Sequence, residues 1–115
     1  MSIAARTIER TTGRAVEAIE ASDGLAGISL AWKYRPDLIV ADEITSHAGA
    51  FALTKELKGA EQPFGGKIVI LLDRPQDSWL ARWSGADAWF VKPVNPFELA
   101  ETVTRFERAA EEEVV

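Results

Sequence analysis

A chain of 115 residues is long enough for one domain that buries ~65% of its unfolded surface around a single core. Its 47% hydrophobic and 27% charged content excludes a disordered or fibrous chain, and no apolar run approaches the ~20 residues of a membrane span. Zero cysteines exclude disulfides, thiolate metal sites and cysteine catalysis, and a net charge of −5 with scattered Lys and Arg argues against nucleic acid as a partner.

The first residues, Met1 to Arg6, hold no hydrophobic signal core, so a cytoplasmic location is expected. Ile3, Ala4, Thr7, Ile8, Thr11, Thr12, Ala15, Val16 and Ile19 keep a helical beat. Gly13 interrupts it at about 1 kcal/mol relative to Ala. Two readings stay open here: one long helix, or a helix to Thr11, a turn at Gly13 and a strand over 15–21. Ser22-Asp23-Gly24 then offers an N-cap, and Leu25, Ile28, Ala31 and Trp32 recur at helical spacing, predicting a helix over 24–34. Arg35-Pro36 stops it, since proline pushes its predecessor out of the α region.

Leu38-Ile39-Val40-Ala41 is an unbroken apolar run of strand length, as for a strand buried on both faces. Ala50, Leu53, Thr54 and Leu57 mark a helix that ends in Lys55, Lys58 and Gly59. After a loop over 61–66, Ile68 to Leu72 form the second strand. Gln76 or Asp77 caps a short helix expected to bury Leu80 and Trp83, with Trp79 a third candidate. Ala88 to Val91 form the third strand. Asn95-Pro96-Phe97-Glu98 opens a last helix, to about Ala110, with Leu99, Val103 and Phe106 as its inward stripe. Helices alternating with apolar strands imply a three-layer α/β fold with a parallel sheet.

In such a sheet, sites form outside the carboxyl ends of the strands. Asp42 and Lys92 occupy two of those ends and would face each other across a shallow pocket. The Ser-Asp-Gly at 22–24, the run Pro36-Asp-Leu-Ile-Val-Ala-Asp42 and the run Gly85-Ala-Asp-Ala-Trp-Phe-Val-Lys-Pro93 resemble the receiver domain of bacterial two-component response regulators. The resemblance covers Ala21 to Phe106. It implies a flavodoxin-like, doubly wound sheet of strand order 2-1-3-4-5, Asp42 as phosphoacceptor, Lys92 as the lysine contacting the acyl phosphate, and a cis Lys92–Pro93 bond.

Three departures from the family stand out. The first strand and the acidic pair that holds Mg²⁺ are not found, so an N-terminally truncated sheet of four or fewer strands is expected. Asp73 stands at the position of the signalling Thr or Ser, and Trp89 at that of the aromatic switch. Phosphoryl transfer requires neutralised oxygens, and Mg²⁺ binds mainly through carboxylates, phosphate and water. Asp73 instead adds repulsion of order 4 kcal/mol at ~4 Å and an effective dielectric near 20. Lys92 is therefore expected to be shared by Asp42 and Asp73 in a standing ion-pair cluster.

The expected function is that of a stand-alone atypical receiver, a single domain with no output domain, signalling through protein contacts or dimerisation and weakly phosphorylated or not at all. The absent strand would leave an open apolar edge, which favours a homodimer unless residues 15–21 fill it. The protein partner would be a histidine kinase or a separate effector. The alternatives are a conventional Mg²⁺-dependent phosphoacceptor whose true start lies upstream, and a small α/β ligand-binding or scaffold module.

The remaining candidates are weaker. His47 reads as a loop histidine, and Asp42 with Glu43 as at most a poor metal site. Trp32 reads as core, and Trp79, Trp83 and Trp89 as a partner face, with core packing an equal alternative for Trp83. Glu111 to Glu113 read as a solvated helix end. Gly65-Gly66 opens no helix, so it is no phosphate-binding fingerprint. No acid–base–nucleophile set suggests an enzyme, and no cofactor is implied.

Overall fold

A computed structural model describes residues 23–43 and 49–112, with side chains through 109. The N-terminal segment including 15–21, His47 and Glu113 lie outside the described residues. The described residues fall into two compact units, one within Glu20–Lys92 and one containing Pro93 and the residues after it.

The first unit is built on a parallel sheet of order β1-β2-β3, with β1 at Leu38–Asp42, β2 at Lys67–Leu72 and β3 at Ala88–Val91. Helices α1 (Gly24–Tyr34), α2 (Ala50–Lys58) and α3 (Ser78–Ser84) accompany it, with α1 packed on α2 and α2 on α3. The second unit holds α4 (Pro96–Glu112).

β2 is central and its Ile68, Val69, Ile70 and Leu72 are wholly buried. β1 departs from the expectation of burial on both faces: only Ala41 is buried, and Leu38, Ile39 and Val40 are half-exposed. Among the described residues β1 pairs with β2 alone. An apolar run therefore announces a strand without saying how deeply it is buried.

Asp23 caps α1, its Oδ1 accepting the Ala26 N–H at 2.9 Å. Arg35 ends α1, but in the left-handed region (φ 49°) rather than the extended one that its following proline suggested. Its N–H bonds the Ala31 carbonyl, its Nε bonds the Trp32 carbonyl, and its guanidinium lies 4.8 Å from the Trp32 ring centroid. Those contacts offset the ~1–2 kcal/mol cost of positive φ at a non-glycine residue. Leu25, placed in the apolar stripe, is 60% exposed.

α2 buries the four residues its spacing marked, Ala50, Leu53, Thr54 and Leu57. Phe64 closes the core from the loop and meets Trp32 edge-on at 6.1 Å. Gly66 lets that loop pass, since a Cβ there would sit 2.5 Å from the Pro36 carbonyl oxygen.

α3 corrects the sequence reading. It buries Ala81 and Ser84, whereas Trp79 and Trp83 are exposed and Leu80 is half-buried. At about 100° per residue, Trp79 and Trp83 lie roughly 160° from Ala81, on the outer side of a helix too short to bury two faces. Gly85 ends α3 at φ 92°, its N–H reaching the Ala81 and Arg82 carbonyls. Asp87 then accepts from the Ile68 N–H (2.8 Å) and pairs with Lys58 (2.9 Å), tying β3 to the start of β2 and the end of α2.

In α4, Asn95 Oδ1 accepts from the Phe97 and Glu98 N–H groups, as its sequence predicts. Leu99 and Val103 are buried and Phe106 is half-buried. The helix continues to Glu112, past the expected end at Ala110.

Candidate functional site

Parallel pairing delivers three charged side chains to one edge of the sheet. Asp42 is the last residue of β1, Asp73 the first after β2 and Lys92 the first after β3. The backbone fixes these ends: the Glu43 N–H bonds the Leu71 carbonyl (2.9 Å) and the Lys92 N–H bonds the Leu72 carbonyl (2.8 Å).

Lys92 Nζ lies 2.7 Å from Asp42 Oδ1 and 2.7 Å from Asp73 Oδ1. The three side chains are 30%, 49% and 33% exposed respectively, so water screens the cluster without dissolving it. The hydrogen bond to Asp42, then that to Asp73, holds the Lys92 ammonium above the ordinary lysine range.

A second ring of carboxylates supports the first. Glu43 accepts a hydrogen bond from the Asp73 N–H and its carboxyl also meets Asp77. Asp77 is buried, and Arg74 grips it with Nε on Oδ2 (3.2 Å) and Nη2 on Oδ1 (3.0 Å). Burial, and then the contact with Asp77, raises Glu43 above the ordinary glutamate value. The Arg74 fork, and then Glu43, lowers Asp77 below the ordinary aspartate value. As Glu43 takes up a proton, it donates to the Asp77 carboxylate.

Among the described residues, Asp42, Glu43, Asp73 and Asp77 outnumber Lys92 and Arg74, so these groups together set a net negative field at this edge. Among the described residues no group of three or more His, Cys, Asp or Glu side chains converges to hold a metal ion. Mg²⁺ demands near-octahedral oxygen coordination, whereas Asp42 and Asp73 both turn an oxygen to one ammonium and Glu43 faces the 73–77 loop. This described set does not fit Mg²⁺.

Of the residues singled out by sequence, Asp42, Asp73 and Lys92 converge. Glu43 serves the adjoining loop instead. Trp89 is half-buried against the core, with the Arg82 guanidinium 5.8 Å from its ring centroid. Trp79 and Trp83 are 62% and 55% exposed. Pro93, beyond Lys92, is exposed. The Glu43–Asp73 bond and the Arg74–Asp77 fork escaped sequence reading; the i,i+3 spacing of Arg74 and Asp77 was their only local signal.

No family model matches the chain. An uncharacterized response regulatory protein of Mycobacterium tuberculosis is 38% identical over 73 residues, which are 64% of this chain and 54% of that protein. The chain thus spans about half the length of the curated relatives it matches. Among solved structures, the chemotaxis protein CheY4 of Vibrio cholerae superposes with a TM-score of 0.69 at 29% identity, covering 91% of each chain. The signal receiver domain of a signal transduction histidine kinase from Syntrophus aciditrophicus gives 0.72 at 27% identity, covering 88% of this chain and 76% of that one.

Proposed function

From the receiver fold of response regulators, which this chain has, we propose an atypical receiver that signals through protein contacts with little or no phosphorylation of Asp42. The observation that carries this reading is the Lys92 ammonium lying 2.7 Å from both Asp42 and Asp73. A phosphoryl group on Asp42 needs a cation for its developing charge. Here the lysine at that position is already divided between two carboxylates, and a third, Glu43, stands behind Asp73.

In this reading Asp42 keeps the phosphoacceptor position and Lys92 the phosphate-contacting one, while Asp73 and Trp89 are altered switch positions. The domain is cytoplasmic, has no enzymatic activity of its own, and passes its signal to a histidine kinase, a separate effector or a second copy.

The test is beryllofluoride with Mg²⁺, a mimic of the acyl phosphate, followed by tryptophan fluorescence and amide chemical shifts. No saturable change around Asp42, Asp73 and Trp89 is expected. A stoichiometric change at those residues would replace this reading with that of a conventional phosphoacceptor.

A further inference from the structure

The tryptophans of α3 play no part in the carboxylate cluster. Trp79 and Trp83 stand one helical turn apart on the side opposite Ala81, and both are more than half exposed. Lys55 of α2 holds its Nζ 4.8 Å from the Trp83 ring centroid, and Arg82 lies over Trp89 at 5.8 Å. Neighbouring cations are neutralised: Lys58 pairs with Asp87, and Arg74 with Asp77. Among the described residues, Lys55 and Arg82 meet rings and have no carboxylate at ion-pairing distance. α3 contains no acidic residue, and α2 contains only Glu56. The face is therefore aromatic and cationic on a chain whose net charge is −5.

That combination selects a partner by its chemistry. Exposed indoles gain by burial against apolar side chains, and aromatic and Arg residues carry most of the energy at interface centres. A cation resting on a ring gains further when a carboxylate reaches it in a partly desolvated contact. Two unpaired cations are too few to track a nucleic-acid backbone, whose binding rests on many phosphate contacts. A second copy brings its own net charge of −5, so self-association meets mutual repulsion at low salt.

We propose that Trp79, Trp83, Lys55 and Arg82 form a docking face for an acidic segment of a separate protein, with apolar side chains set among its Asp and Glu residues. This rests on the reading of the chain as a domain that works through protein contacts, and it supplies the partner's chemistry. On docking, apolar side chains cover the two indoles, and carboxylates take Lys55 and Arg82 from the rings they cover.

The test is a random peptide library panned on the full chain and, in parallel, on the K55E/R82E variant. Both substituted side chains are exposed, so an unchanged melting temperature verifies that the variant is folded. Peptides rich in Asp and Glu with interspersed Trp, Phe or Leu are expected on the full chain. Their affinity should fall at least tenfold on the variant and weaken with added salt. Failure to enrich such peptides, or equal binding to both proteins, overturns the proposal. Self-association in sedimentation velocity that K55E/R82E abolishes would make a second copy the occupant and overturn it as well. Phosphorylation is measured separately, so failure here leaves the reading of Asp42 and Lys92 untouched.

Discussion

The carboxylate of Glu43 accepts a hydrogen bond from the backbone N–H of Asp73, so the residue that follows β1 fixes the residue that follows β2. One turn further, the same carboxyl meets Asp77, which Arg74 grips from the other side. The loop that presents Asp73 to Lys92 is thus pinned at both ends by side chains. The ion-pair cluster is a property of three strand ends and this one loop.

Removing Glu43 should therefore loosen Asp73 without unfolding the domain. Glu43→Ala is expected to destabilise by about 1 kcal/mol, the net worth of a partly exposed hydrogen bond to a charged acceptor. Hydrogen exchange of the Asp73 amide should accelerate several-fold, with the β2 amides unchanged. Glu43→Gln, whose carbonyl still accepts that N–H, should retain most of the protection.

Lys92→Met leaves the Asp42 and Asp73 carboxylates facing each other without their shared ammonium. Because all three side chains are partly exposed, each pair is worth roughly 0.2–1 kcal/mol. Urea denaturation at low salt should show a loss of about 1 kcal/mol. Adding Asp73→Asn should restore part of it, and the double-mutant cycle should return a coupling of about 0.5 kcal/mol. At 1 M salt the difference should shrink, as screening of exposed charges requires.

The pH profile has three components with different signs. Lys92 is raised above its ordinary 10.5, so its contribution is complete below that value and is lost as pH climbs through the raised one. Asp77 is lowered below its ordinary 3.8, so its contribution is present above 3.8 and is lost as pH falls through the depressed value. Glu43 is raised above its ordinary 4.5, so its contribution is greatest below 4.5 and declines as pH rises through the raised value. Denaturation midpoints measured from pH 3 to 7 should therefore show a component of falling stability just above 4.5 that Glu43→Gln removes.

Much of this molecule is legible in its sequence because the signals are local. The caps at Asp23 and Asn95 and the four-residue stripe of α2 follow from spacing and side-chain chemistry alone. Asp42 and Lys92 could be placed at one edge because parallel strands share their carboxyl ends. What the sequence conceals depends on neighbours. Leu38 to Val40 read as fully buried, but their exposure depends on which strand lies beside β1. The spacing of Trp83 fits either core or a partner face, and only the structure shows that α3 turns its small residues inward and leaves both tryptophans outside. The bond from the Asp73 N–H to Glu43 spans 30 residues of sequence, and no periodicity encodes it.

The central claim is that Lys92 is committed to Asp42 and Asp73 and so is not available to a phosphoryl group. Intact-protein mass spectrometry after incubation with acetyl phosphate and Mg²⁺ tests it most directly. The unmodified mass should persist throughout, in the chain and in its Asp42→Asn variant alike. A stoichiometric, Mg²⁺-dependent phosphoryl adduct that maps to Asp42 and vanishes in Asp42→Asn would contradict it.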